Sequence, residues 1–256
     1  MIIKTKDDIT AQVAQLEEIK AIPTLDAKTQ QKVEKELKIL QFGAKGEKDS
    51  AYFIDFHYGD SENWVVLHDL RLEHKNRVAQ IDHILINRFL ELYVLETKNY
   101  RNGIKITDRG EFLVWNGQHY IGIESPILQN QRHISVLEQF LQDQELLPKR
   151  LGLTLIPTFR PYVLMSPRSR IIRPKAKTFN TTMVIKAEAL EQQLKEEVEH
   201  ENVLSMLSLT AKIISRETLF KLGQDLAQFH QPKHLNYYAK FGLEPSPQPR
   251  PCQSQT

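Results

Sequence analysis

Cysteine is nearly missing. Cys252 is the one copy in 256 residues, which excludes an intramolecular disulfide and a cysteine-ligated zinc site. No uncharged apolar run nears the roughly 18 residues that a membrane span requires. The amino-terminal stretch MIIKTKDD has no long apolar core followed by a small-residue cleavage site, so no secretory signal is expected. An excess of one charge is also lacking. A formal net charge of +2 permits nucleic-acid binding without arguing for it, so such contacts must come from local basic clusters. These absences together lead to the expectation of a reducing, cytoplasmic protein with no membrane attachment. They leave the oligomeric state open.

What is present reads as α/β. Residues 6–20 form a short polar helical pattern that Pro23 breaks. A longer helix starts near Asp26, where Val33, Leu37, Leu40, Ala44, Ala51 and Ile54 make one apolar seam. The seam's missing position is Glu47, flanked by Gly43 and Gly46, which would let the helix come close to another backbone. Strands are expected over residues 64–70, 78–87, 90–98 and 160–165, with a further short one near 182–185. A hairpin is expected over 111–123, with Asn116-Gly117 as a type I′ turn signal. Ser125 and Pro126 open a second long helix reaching about Gln142. Residues 187–229 read as helical throughout, and the Pro-, Ser- and Gln-rich end reads as disordered.

The resulting expectation is an amino-terminal helical segment (1–25) and an α/β domain over 26–186 with a mixed central sheet flanked by helices. A helical cover (187–243) and a tail (244–256) follow.

The chemistry gathers in two of these strands. Residues two apart in a strand share a face, so Glu96 and Lys98 emerge side by side beyond Leu92 and Val94. Asp82 shares its face with Ile84 and Ile86. If these strands pair, Asp82 and Glu96 converge, and two such carboxylates repel unless a cation intervenes. Mg²⁺ or Mn²⁺ suits oxygen donors of this kind, with the Thr97 carbonyl as a further ligand and Glu47 completing the site directly or through water. A metal there would acidify water and clamp a scissile phosphate. Lys98, held protonated among acids, would orient the attacking water and offset phosphoryl charge. Gln129 and His133, four apart on the second helix, could hold that water or a DNA phosphate. Each piece also has a plainer reading. Glu96-x-Lys98 is often a solvated pair, Asp82 could cap a turn, Glu47 could be a rotated surface residue, and Gln129 and His133 could be exposed. The conjunction of the four is what argues for a site.

These residues resemble the nuclease-related domain (NERD) family of the PD-(D/E)xK restriction-endonuclease-like superfamily. The matching stretches are 43–47 (GAKGE), 79–83 (AQIDH), 95–99 (LETKN), 125–130 (SPILQN) and 115–117 (WNG), within roughly residues 40–142. The resemblance implies a restriction-endonuclease-like fold, Asp82 and Glu96 as metal-binding carboxylates and Lys98 as the catalytic lysine. It further implies Glu47 and Gln129 as supporting residues and DNA as the substrate. Ile81 replaces the proline of the superfamily's name, as is usual in this branch. Some relatives carry a cysteine-rich zinc ribbon, which a lone Cys252 cannot form.

A basic stretch, 166–177 (SPRSRIIRPKAK), contains Arg168, Arg170, Arg173, Lys175 and Lys177 without an acidic residue. It reads either as a loop tracking a phosphate backbone or as a solvated loop with no partner. The functional reading is a metal-dependent deoxyribonuclease. The alternatives are a non-catalytic DNA-binding module of the same fold and an interaction protein in which these charges form a salt-bridge cluster.

Overall fold

The computed structural model describes residues 1–175, 179–200, 210–233 and 235–244. Two compact units emerge, one built from Met1–Asp7 with Phe42–Pro232 and the other from Asp8–Gln41 with Lys233–Thr256.

In chain order the strands are β1 (Ile2–Lys4), β2 (Trp64–His74), β3 (Arg77–Asn87), β4 (Glu91–Lys98), β5 (Ile104–Ile106), β6 (Phe112–Trp115), β7 (Tyr120–Ile123), β8 (Lys149–Arg150), β9 (Leu153–Thr154), β10 (Thr158–Met165), β11 (Ile171–Ile172) and β12 (Val184–Lys186). The helices are α1 (Thr10–Lys20), α2 (Ala27–Tyr58), α3 (Pro126–Asp143), α4 (Leu190–His200), α5 (Arg216–Gln228) and α6 (Tyr237–Lys240).

The first unit is organised by a six-stranded sheet ordered β1-β2-β3-β4-β10-β12. The β2–β3–β4 meander is antiparallel, while β1, β10 and β12 join in parallel. This mixed sheet between helices is consistent with a restriction-endonuclease-like fold. β4 is buried from Glu91 to Thr97 and apolar over Leu92–Leu95 because both of its faces are covered. On one face Ile84, Ile86, Leu92 and Val94 pack with Val136, Leu137 and Phe140 of α3 and Leu222 and Leu226 of α5. On the other, Val66, Leu85, Tyr93 and Leu95 pack with Ile54 and Tyr58 of α2 and Leu190 and Leu194 of α4. Each such side chain contributes about 1.5–3 kcal/mol on burial. A few of them offset the several kcal/mol that placing a carboxylate such as Glu96 at 3% exposure costs. A second sheet, β11-β5-β6-β7, stacks Ile104, Ile106 and Phe112 against Val163, Met165 and Val184.

The second unit has its own small core, in which Leu16 and Ile19 of α1, Val33 and Leu37 of α2, and Tyr237 and Tyr238 of α6 are buried together. The apolar seam of α2 therefore serves two cores. Val33 and Leu37 belong to this one, and Ile54 belongs to the sheet.

Several sequence expectations change. Residues 6–20 are not one helix: Ile2–Lys4 pair with β2, and α1 starts at Thr10, whose N–H and hydroxyl donate to Asp8 Oδ1 at 2.9 and 2.6 Å. The 187–229 region is not helical throughout. Ile214 N–H donates to Arg88 O at 2.8 Å, and Ser215 then caps α5 by accepting from Thr218 N–H. The type I′ turn also sits elsewhere. Asn116 Oδ1 accepts from the N–H groups of Gln118 and His119, both at 2.9 Å, closing a four-residue loop between Trp115 and Tyr120. The two-residue reversal with positive φ at both positions is Lys75 (48°) and Asn76 (60°), joining β2 to β3. Ser125 does cap α3, accepting from Leu128 N–H, with Pro126 in the first turn.

Candidate functional site

The β3–β4 pairing runs from Ile86↔Leu92 to His83↔Leu95 and stops there. Beyond it the Asp82 side chain replaces the backbone, its Oδ2 accepting the Thr97 N–H at 2.7 Å. Lys98 O accepts from Ser166 N–H on the β10 side at 3.1 Å, so Thr97, one residue earlier, turns its N–H and C=O toward β3. The Thr97 carbonyl thus faces the flank where Asp82 lies.

Glu96 and Lys98 follow Leu92 and Val94 on the α3 face. Lys98 Nζ donates to Glu96 Oε1 at 2.7 Å and to Gln129 Oε1 of α3 at 3.0 Å. His133, one turn along α3, places Nδ1 at 3.5 Å from Glu96 Oε2. The alignment makes no hydrogen bond, and among the described residues this buried nitrogen has no other partner. Asp82, Glu96, Thr97, Lys98, Gln129 and His133 therefore come together at one strand end.

Burial pushes the Asp82 carboxyl up to about 8, and the Glu96 charge adds to the rise; the Thr97 N–H, Lys98 and Lys6 oppose it. For Lys98, burial acts downward, but the adjacent Glu96 carboxylate outweighs it and the ammonium is held above its ordinary range.

A divalent ion fits these residues in kind. Two carboxylates and a carbonyl are hard oxygen donors, the repulsion between Asp82 and Glu96 is what a cation relieves, and Mg²⁺ ordinarily takes few protein ligands plus waters. Among the described residues no group of three or more His, Cys, Asp or Glu side chains is placed to hold an ion, so the fit rests on that sparse donor set.

Glu47 stands at the edge of this cluster. It pairs with Lys6, a residue that sequence reasoning missed. Burial lowers the Lys6 ammonium, while Asp69, Asp82 and Asp7 act in the opposite direction. No local pattern marks Lys6; it reaches the site because β1 adds to the edge of β2. Asp69 was missed too. It sits inside β2 with φ 53°, and there the alternation slips, so Leu70 and Ile81 join the α3-side core along with Ile84.

Beside this strand end lies a groove of about 460 Å³, lined by Phe42, Lys45 and Asp49 of α2, by Asn99, Tyr100 and Arg101, and by Ser166, Arg168 and Ser169. Gly46 explains how α2 comes so near, since a Cβ there would stand 2.5 Å from the Asn99 Cβ. Of the basic stretch, Arg168 faces the groove, and Arg170 and Lys175 are exposed. Arg173 is exposed as well, but it also donates to Thr181 O and Val184 O, both at 2.6 Å, and partial burial lowers its pKa. Lys177 lies outside the described residues. Another cavity of about 460 Å³, bordered by Trp64, Glu91 and Tyr93, is at the opposite end of β4 and none of the site residues line it.

Among the described residues no helix is long and apolar enough to cross a membrane. Compared with known proteins, residues 42–166 match the family model described as nuclease-related domain. No curated protein and no solved structure matches the chain.

Proposed function

We propose, on the premise that residues 42–166 form a nuclease-related domain, that this protein is a Mg²⁺- or Mn²⁺-dependent nuclease hydrolysing phosphodiester bonds in DNA. The observation that carries the reading is the strand end where Asp82 and Glu96 meet a lysine already oriented by Glu96 and Gln129. Asp82, Glu96 and the Thr97 carbonyl would hold the ion, which supplies Lewis-acid polarisation of the phosphate and acidification of water.

The remaining roles belong to the chain. Lys98 carries a fixed positive charge beside the site, suited to hydrogen-bonding the phosphoryl oxygens as negative charge develops on them. Gln129 fixes the direction of that ammonium by accepting one of its protons. His133 presents a buried ring nitrogen without a hydrogen-bond partner among the described residues, able to meet water or a phosphate oxygen once substrate arrives. Lys45, Arg101 and Arg168 line the groove that would carry the strand away from the reacting phosphate.

A second reading, a DNA-binding module without turnover, draws on a different feature. Lys98 already neutralises Glu96, and among the described residues no third acidic side chain joins Asp82 and Glu96 as a metal-holding group. Cleavage assays on linear, nicked, circular and single-stranded DNA with Mg²⁺, Mn²⁺ or chelator separate the two. Metal-dependent cleavage that Asp82→Asn abolishes supports the nuclease. Binding without cleavage of any substrate leaves the module, and neither binding nor cleavage removes both.

A further inference from the structure

Behind the carboxylates, on the α2 face of the sheet, lies a polar chain inside an otherwise apolar core. His68 of β2 and His83 of β3 stand directly opposite each other, at 3% and 1% exposure. Their Nδ1 atoms are 2.7 Å apart. His68 Nε2 is 2.9 Å from Asp55 Oδ1 on α2, and His83 Nε2 is 3.2 Å from Thr97 Oγ1. Three hydrogen bonds thus join four side chains from α2, β2, β3 and β4.

The chemistry of imidazole fixes where the protons are. A neutral ring has one N–H and one bare nitrogen, and a carboxylate only accepts. Asp55 therefore requires the proton on His68 Nε2, leaving His68 Nδ1 bare. His83 must then carry its proton on Nδ1, which leaves its Nε2 to accept from the Thr97 hydroxyl. Both rings stand inside the core at 3% and 1% exposure, where no water is at hand to solvate an imidazolium. With neutral rings this is the one arrangement that satisfies all three contacts.

We propose that Asp55, His68 and His83 are positioning residues. They form a directional hydrogen-bond relay that locks Thr97 and so sets the geometry of the Asp82–Glu96–Lys98 end of β4. The inference rests on reading that end as the metal and phosphate site.

Thr97 is the residue through which the two faces communicate. Its side chain ends the relay, its N–H holds Asp82, and its peptide neighbours are Glu96 and Lys98. β3 stops pairing with β4 at Leu95, so this strand end lacks the ladder bonds on that flank that would otherwise fix it. A strand that needed only packing would place apolar side chains at 68, 83 and 97 and avoid desolvating two imidazoles. A fully bonded buried network gives a unique orientation instead.

The test begins with long-range ¹H–¹⁵N spectra of the full chain, without metal. The expected result is protonated Nε2 on His68 and protonated Nδ1 on His83. Hydrogen exchange then reads the Thr97 amide. His68→Leu and, separately, Thr97→Val should speed its exchange about tenfold or more while the Val94 amide is unchanged; His68→Gln, which keeps an acceptor for His83, should restore protection. Mn²⁺ titration of His68→Leu should show about 10- to 100-fold weaker binding, the range seen when an orienting partner behind a ligand is lost. Opposite tautomers, a doubly protonated ring, or a Thr97 amide indifferent to both variants would overturn the relay. Should the unaltered protein bind no Mn²⁺ and cut no DNA, the nuclease reading falls, while the tautomers and the Thr97 amide still decide the relay.

Discussion

Thr97 and Asp82 are joined where their strands part: the backbone N–H of one donates to the carboxylate of the other at 2.7 Å, just past the last paired residues, His83 and Leu95. A side chain does there what a strand would otherwise do. It leaves a half-buried carboxylate beside the buried Glu96.

That placement has a pH signature. Burial and then Glu96 raise the Asp82 carboxyl from its ordinary 3.8 to about 8 in the folded protein. A raised folded value means that folding favours the protonated form. The stability it confers is complete below about 4 and is lost as pH rises through about 8. Metal-free protein should therefore lose stability between pH 4 and 8 in denaturant titrations. Asp82→Asn should flatten that slope, and Mn²⁺ should recover stability at pH 8. A slope that Asp82→Asn leaves intact would assign it to another group.

Lys98→Ala should abolish cleavage, by more than about 100-fold, while Mn²⁺ still binds, because the lysine acts on charge that develops in the reaction. It should also destabilise the fold by about 1.5–3 kcal/mol, the worth of a hydrogen bond to a charged group. Undiminished plasmid cleavage would remove Lys98 from the mechanism.

Lys6 is a cation held at Glu47 within electrostatic reach of Asp82. Lys6→Ala removes a like charge from the neighbourhood of an incoming ion. Mn²⁺ affinity, measured calorimetrically, should rise about threefold or more. Weaker binding would mean that Lys6 supports the site instead of competing for it.

Arg168 and Arg173 separate contact from support. Arg168→Ala should weaken DNA binding and lower the salt dependence by about one ion. Arg173→Ala should leave that slope unchanged and lower the unfolding temperature, since its guanidinium bonds two carbonyls at 2.6 Å. Equal salt slopes for the two variants would contradict this division.

Much of this fold was legible because its signals are local. The apolar run of β4, the Ser125-Pro126 helix start and the seam of α2 each follow from a few neighbouring residues. The order of Asp82, Glu96 and Lys98 was readable for the same reason, since alternation assigns their faces. What stayed hidden depends on distant partners. β1 exists by pairing with residues more than sixty positions away, and it brings Lys6 with it. His68 and His83 look like ordinary strand residues until the register sets them opposite each other. Arg173 reads as a phosphate contact in sequence, and the fold adds two carbonyls to which its guanidinium donates. The Asn-Gly signal was misleading because the Asn116 side chain captured the turn.

Gly46 has a consequence for what can pass beside α2. With no room for a methyl against Asn99, the helix rests on the strand terminus main chain to side chain, and no rotamer change at that point moves the wall back. At that one point the wall beside Phe42 and Tyr100 is set by the backbone, while side chains such as Lys45, Arg101 and Arg168 line the rest. A guest that presses on Asn99 there meets the helix main chain behind it, whereas elsewhere along the groove it meets side chains that can swing aside.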